Sequence, residues 1–280
     1  YNYLENLEKR KQEVLRLIDE QGKLTDELAK KIQQAVKVQK VEDLYRPYKQ
    51  KRRTKVTIAK ENGLEPLANY LVSFPQSGDV YAKAGEFINE NIVNAEEALQ
   101  GAHEIVAEQI SDNPDFRTWI RSYTKNKGVY QSKVKDADKD EKGVYEMYYD
   151  FAEPINKMVS HRVLASNRGE KEEILKVSIV VEEEKIYEYL ERQLVQNTRA
   201  VTAEFVREAY KDSYKRFIGP AIEREIRNEL TEEADEQAIN IFGENLRNLL
   251  LQPPLKGKVV LGFDPAYRTG CKLAVVDETG

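Results

Sequence analysis

The chain has 280 residues, 40% of them hydrophobic and 33% charged, with 44 Lys and Arg against 49 Asp and Glu for a net charge of −5. Regularly spaced aliphatic and tyrosine residues exclude a disordered chain, and the single cysteine, Cys271, excludes an internal disulfide framework and fits a reducing compartment. No apolar run reaches the roughly 18–20 residues that a membrane span needs, so no membrane association is expected.

Leu4, Leu7, Val14, Leu15 and Ile18 recur at helical spacing up to Gly22, and Thr25 is placed to cap a second helix carrying Leu28, Ile32, Ala35 and Val36. The opening therefore reads as a helical hairpin. Residues 45–60 contain Arg46, Lys49, Lys51, Arg52, Arg53, Lys55 and Lys60 and no acidic residue. Pro47 and the lack of helical period predict a loop or extended linker there. Asn94 with Glu97 forms a capping-box-like start ahead of Ala98, Ala102, Ile105, Val106 and Ile110. Asn113 and Pro114 open another helix, with Phe116, Trp119, Ile120 and Tyr123 on its apolar side. Lys133 to Lys142 reads as an exposed loop. Ser160 is expected to cap a short helix that Gly169 ends. Ile174 to Val181 is the first expected strand, and Glu182 to Glu184 suit the positive end of the helix dipole that follows. From Thr202 to Leu251 the pattern is helical, punctuated at Gly219-Pro220 and near Thr231, until Pro253-Pro254 stops it. The period then changes to two, and Lys258–Phe263 and Cys271–Val276 read as strands around a loop from Asp264 to Gly270. A start at Tyr1 inside a periodic pattern, and an end on the turn residues Asp277 to Gly280, make the chain read as a piece of a longer one.

The acidic whole makes local clustering of cations the relevant signal for an anionic partner. Arg52 and Arg53 offer planar forks for phosphate oxygens, Lys49, Lys51 and Lys55 add point charge, and Tyr45 and Tyr48 are candidates for stacking on unpaired bases. The competing reading ties this segment to acidic helices such as Glu182–Glu191 or Glu232–Glu236, and it is slightly favoured for Arg52 and Arg53. His103 reads as a packing residue on its helix and His161 as one that holds a short helix to its neighbours. Tyr145, Tyr148, Tyr149 and Phe151 read as packing aromatics. Two histidines and one cysteine give no zinc constellation, and there is no phosphate-loop or dinucleotide fingerprint, so no cofactor is expected.

Three stretches in collinear order carry a family resemblance: EDLYRPYKQKRRTKVTIAKENGLEPLA from Glu42 to Ala68, SHRVLASNRGE from Ser160 to Glu170, and VLGFDPAYRTGCKLAVVDETG from Val260 to Gly280. Together they resemble the Tex family of transcription accessory proteins. The resemblance implies a mainly α fold, with a multi-helical region bearing helix-turn-helix-like elements over residues 1–255. Residues 256–280 would then be the first hairpin of an α/β RNase H-like (YqgF) domain. It also implies a bacterial, cytoplasmic protein that works with RNA or DNA, and with the transcription machinery, chiefly through downstream domains such as a C-terminal OB-fold. Asp264 ends a strand where RNase H-like nucleases hold a divalent metal, so a metal-dependent nuclease or resolvase is the alternative. One carboxylate does not make such a site, partners would have to lie beyond Gly280, and Ala266 stands where the family pattern has Gly. The resemblance implies a catalytically degenerate domain in which Asp264 is vestigial and the protein is not an enzyme.

Overall fold

The computed structural model describes residues 2–50, 53–253, 257–266 and 270–279. Three helices, α1 (Asn2–Asp19), α2 (Asp26–Gln33) and α3 (Val38–Tyr45), open the chain. Gly22 turns between the first two at φ 64, and the Thr25 hydroxyl accepts the Leu28 amide as the expected cap. Leu7, Val14, Ile18, Ile32, Val41 and Leu44 close into a core of their own. Leu4 and Val36, assigned to the apolar stripes, are exposed instead.

The segment expected to be a linker is largely helical. Its first residue ends α3, residues Arg46–Tyr48 form a 3-10 turn, and Thr54 caps α4 (Lys55–Glu61) through the Thr57 amide. Pro47 is tolerated because a first-turn residue needs no donor, and α4 buries only Val56 and Ala59, too few to show a period. A turn with Gly63 at φ 77 leads to α5 (Glu65–Val72), giving a helix-turn-helix unit.

Next come α6 (Val80–Gly85) and α7 (Ala95–Asp112). The second is the axis of the main core, burying Ala98, Ala102, Ile105, Val106 and Ile110 among residues from α4, α5 and α6. Asn94 caps it through the Glu97 amide, while the Glu97 carboxylate returns to Val93, one residue before the cap. Asn113 caps α8 (Pro114–Lys127) through the Asp115 and Phe116 amides.

A three-stranded sheet follows, of which the sequence reading found the strand at 174–181 and missed the other two. β1 (Val129–Val134), β2 (Asp150–Pro154) and β3 (Leu175–Val180) pair antiparallel in the order β2-β1-β3. The first of these overlaps the interval expected to be a loop. Asp140 in that interval is buried, and its carboxylate accepts the Val144 and Tyr145 amides at 2.8 Å and the Tyr149 hydroxyl at 3.1 Å. Burial pushes this carboxyl up, but the three donors outweigh it and hold it below the usual carboxylate range. Tyr145 and Tyr148 pack with Ile174 and Leu175, as expected of packing aromatics.

α9 (Ser160–Lys171) corrects two expectations: its capping position is Val159, and it runs through Gly169. A Cβ at Gly169 would stand 2.6 Å from Leu175 Cδ1 and 3.0 Å from Tyr145 Cδ1, so close packing and not termination explains this glycine. After α10 (Glu183–Leu194) and α11 (Ala203–Ser213), a π-helical turn at Tyr214–Ile218 leads without a break into α12 (Gly219–Leu250). Pro220 sits in the first turn of α12, and Thr231 lies within it, its hydroxyl donating to the Arg227 carbonyl. β4 (Val260–Asp264) and β5 (Lys272–Val276) form the expected antiparallel hairpin. Among the described residues no helix is long and apolar enough to cross a membrane.

Candidate nucleic-acid interface

The basic segment is held by what comes before it. Asp43 of α3 sits between Arg117 and Arg121 of α8, which also clasp Glu225 of α12. Arg117 Nε donates to Asp43 Oδ1 at 2.9 Å and its Nη2 to Glu225 Oε1 at 2.8 Å. Arg121 Nη1 donates to Asp43 Oδ2 at 2.9 Å and its Nε to Glu225 Oε2 at 2.8 Å. Asp43 and Arg117 are each 1% exposed. Burial pushes the Arg121 guanidinium down, yet the two carboxylates outweigh it and hold it above its ordinary value. This closed four-charge ring fixes the end of α3, and Arg46 adds a bond to Asp112 at 3.0 Å.

From that anchor the chain presents Lys49 and Lys55 to solvent, with no ion-pair partner among the described residues. Arg53 pairs with Glu61 at 2.9 Å while staying 72% exposed. Internal pairing is therefore real for Arg53, but its partner lies on α4 and not on either acidic stretch expected. Lys51 and Arg52 lie outside the described residues. Lys49 and Lys60 border a depression of about 520 Å³ between the 3-10 turn, α4 and the end of α7.

Tyr45 is not available for stacking. It is buried in the N-terminal core with the Arg10 guanidinium 5.6 Å from its ring centre. Tyr48 packs against the same core, and its carbonyl accepts from Gln21 Nε2 at 2.9 Å.

Asp264 closes β4 opposite Lys272 and is exposed. Among the described residues no group of three or more His, Cys, Asp or Glu side chains could hold a metal ion. His103 packs half-buried, as expected, and its Nε2 lies 3.0 Å from Asp212, which Arg216 also grips. His161 is exposed and its ring makes no hydrogen bond among the described residues. Its neighbour Arg162 does the holding, through Glu153 at 2.7 Å and over the Phe151 ring. Sequence reasoning also missed the ring of Asp43, Arg117, Arg121 and Glu225. The residues lie on three elements, and no local pattern marks them as partners.

Comparison with known proteins gives two family-model matches: a Tex central region-like model over residues 76–242 and a Tex protein YqgF-like domain over residues 258–280. The chain is 60% identical to the uncharacterized protein YdcI of Bacillus subtilis (strain 168), over 100% of this chain and 39% of that protein. It is 38% identical to the transcriptional accessory protein Tex of Neisseria gonorrhoeae, over 99% of this chain and 37% of the relative. It is 30% identical to S1 RNA-binding domain-containing protein 1 of Homo sapiens, over 94% of this chain and 28% of that protein. The chain thus spans less than two-fifths of the length of these relatives. With the central-region model matching more than half of its residues, the chain belongs to the Tex family.

Proposed function

We propose that this chain is the helical scaffold of a cytoplasmic, nucleic-acid-associated transcription accessory protein, and that Lys49, Arg53 and Lys55 belong to its phosphate-facing surface. Residues 1–255 form the scaffold and 256–280 begin a YqgF, RNase H-like domain. The stronger nucleic-acid contacts belong to parts of the protein outside these 280 residues. The observation that carries this reading is the exposure of Lys49, Arg53 and Lys55 at one edge of an otherwise acidic chain, held in place by the buried ring at Asp43. Exposed ion pairs contribute only about 0–1 kcal/mol, so a cation cluster of this kind is not needed for folding. The names of two relatives, a transcriptional accessory protein and an S1 RNA-binding domain-containing protein, support the same assignment.

Fluorescence anisotropy with labelled single-stranded RNA and duplex DNA across a salt series tests it. Weak binding that falls steeply with salt is expected. Lys49→Ala/Arg53→Ala/Lys55→Ala should reduce the logarithmic salt slope on a single strand by about 0.7 for each phosphate that the segment no longer neutralises. An unchanged slope in the triple variant would remove the segment from the interface.

We read the chain as non-catalytic. A nuclease needs further carboxylates around Asp264 to bind the metals that activate water, and the described residues supply no such cluster. Magnesium- or manganese-dependent cleavage that disappears in Asp264→Asn would reverse this assignment.

A further inference from the structure

The end of α7 separates the larger depression, lined by Lys49 and Lys60 together with Glu61, Glu108 and Asp112, from a second, smaller one of about 300 Å³, and Gln109 and Asn113 line both. No charged side chain lines the smaller depression. The apolar lining comes from Val72, Ile110 and Leu194 with the buried Phe74 and Phe116, and the polar lining consists of four carboxamides: Gln109, Asn113, Gln193 and Gln196. The three glutamines are exposed and make no side-chain hydrogen bond among the described residues. The Asn113 oxygen caps α8, accepting the Asp115 and Phe116 amides at 2.9 and 3.2 Å, which leaves its amide nitrogen to donate. Phe74 is fixed at φ 53, a left-handed conformation that a bulky residue rarely adopts. Packing against Ala200, Ala203 and Val206 holds it there.

A carboxamide presents a donor and an acceptor side by side. That pair matches the edge of a nucleobase, and adenine best, through its N6 amine and N7. A base is also planar and uncharged, so it needs no counter-charge and can lie against an apolar wall. The volume is at the lower end of the range for small-ligand pockets, enough for a single base. We infer that the smaller depression takes one unstacked base of a single strand, adenine by preference, while the strand's phosphates follow the basic segment. The inference rests on the phosphate-facing reading of Lys49, Arg53 and Lys55.

The test compares the whole 280-residue chain on a labelled oligodeoxyadenylate and on an abasic strand of the same length. The wild type should bind the adenylate about tenfold more tightly, within the range that one well-formed carboxamide–base pair supplies. Gln193→Leu/Gln196→Leu, at two exposed positions, should bind both strands with the wild-type abasic affinity and an unchanged salt slope. Circular dichroism should show the same helix content in both proteins. Equal wild-type affinity for the two strands overturns the base pocket and leaves the phosphate surface standing. No binding of either strand overturns both. Discrimination that survives in the double variant overturns the carboxamide assignment.

Discussion

Two joints in this molecule are made of opposite materials. Around α7 the helices α4, α5 and α6 meet through aliphatic side chains in one continuous core. Helices α1 to α3 close a separate core and reach α8 and α12 through the charges of Asp43, Arg117, Arg121 and Glu225. An apolar joint adds stability roughly in proportion to the area it buries. A buried ionic joint adds little net stability, because desolvation offsets attraction, but it accepts few orientations. The difference gives the N-terminal helices a fixed register on the body, and with it a fixed starting point for the basic segment.

The largest expected effect breaks the ionic joint. Asp43→Ala leaves two guanidinium groups, one of them buried, without that carboxylate and should cost about 3–5 kcal/mol. The loss should fall on α1 to α3, seen as early hydrogen exchange there while the α7 core stays protected. Ile105→Ala, which hollows the apolar joint, should cost about 2–5 kcal/mol and lower the protection of the body instead. If Asp43→Ala costs less than about 1 kcal/mol, the ring does not hold the modules together.

A middling effect sharpens the apolar side. Gly169→Ala places a methyl against Leu175 and Tyr145. Overpacking should cost about 1–3 kcal/mol, of which about 1 returns because alanine suits a helix interior better than glycine. Urea denaturation should show a net loss. A net gain would mean that the Leu175 side chain gives way freely.

How far all this was legible depended on the range of each interaction. The caps at Thr25, Asn94 and Asn113 could be read because a capping side chain and its amide lie within three residues. The hairpin of β4 and β5 could be read because alternation survives where a pair is short and apolar. The strands β1 and β2 were hidden: β1 buries Tyr130 and Ser132, and a buried serine between Gln131 and Lys133 breaks the apolar alternation that marks a strand. Gly219-Pro220 looked like a break, but a π turn carries the helix across it. The basic segment was found by composition alone, whereas its anchor at Asp43 depends on partners distant in the chain. The segment's acidic partner Glu61 stands only eight residues after Arg53, just past the end of the basic run and not on a remote acidic helix.

A smaller effect concerns a second ionic cluster, inside the body. Burial pushes the Asp212 carboxyl up, but Arg216 and His103 outweigh it and hold it below the usual carboxylate range. A depressed folded-state pKa means that the stabilisation is present above the unfolded value, about 3.9, and is lost as pH falls through the folded value. Asp212→Asn should therefore destabilise at neutral pH by no more than about 1 kcal/mol and make the loss of stability less steep once pH falls towards and below the unfolded value. An acid profile identical to the wild type would remove Asp212 from the groups that drive acid unfolding.

The smallest effect on stability is the most informative about the surface. Arg53 and Glu61 are 72% and 53% exposed, so their pair is screened and costs side-chain entropy to hold. Glu61→Ala should change stability by less than about 0.5 kcal/mol. It also removes a negative charge from the basic edge and releases the Arg53 fork. If the segment meets phosphate, single-stranded RNA should bind more tightly and with a steeper salt slope, because one more cation is free to displace counterions. If the segment does not meet phosphate, affinity and salt slope should both stay the same.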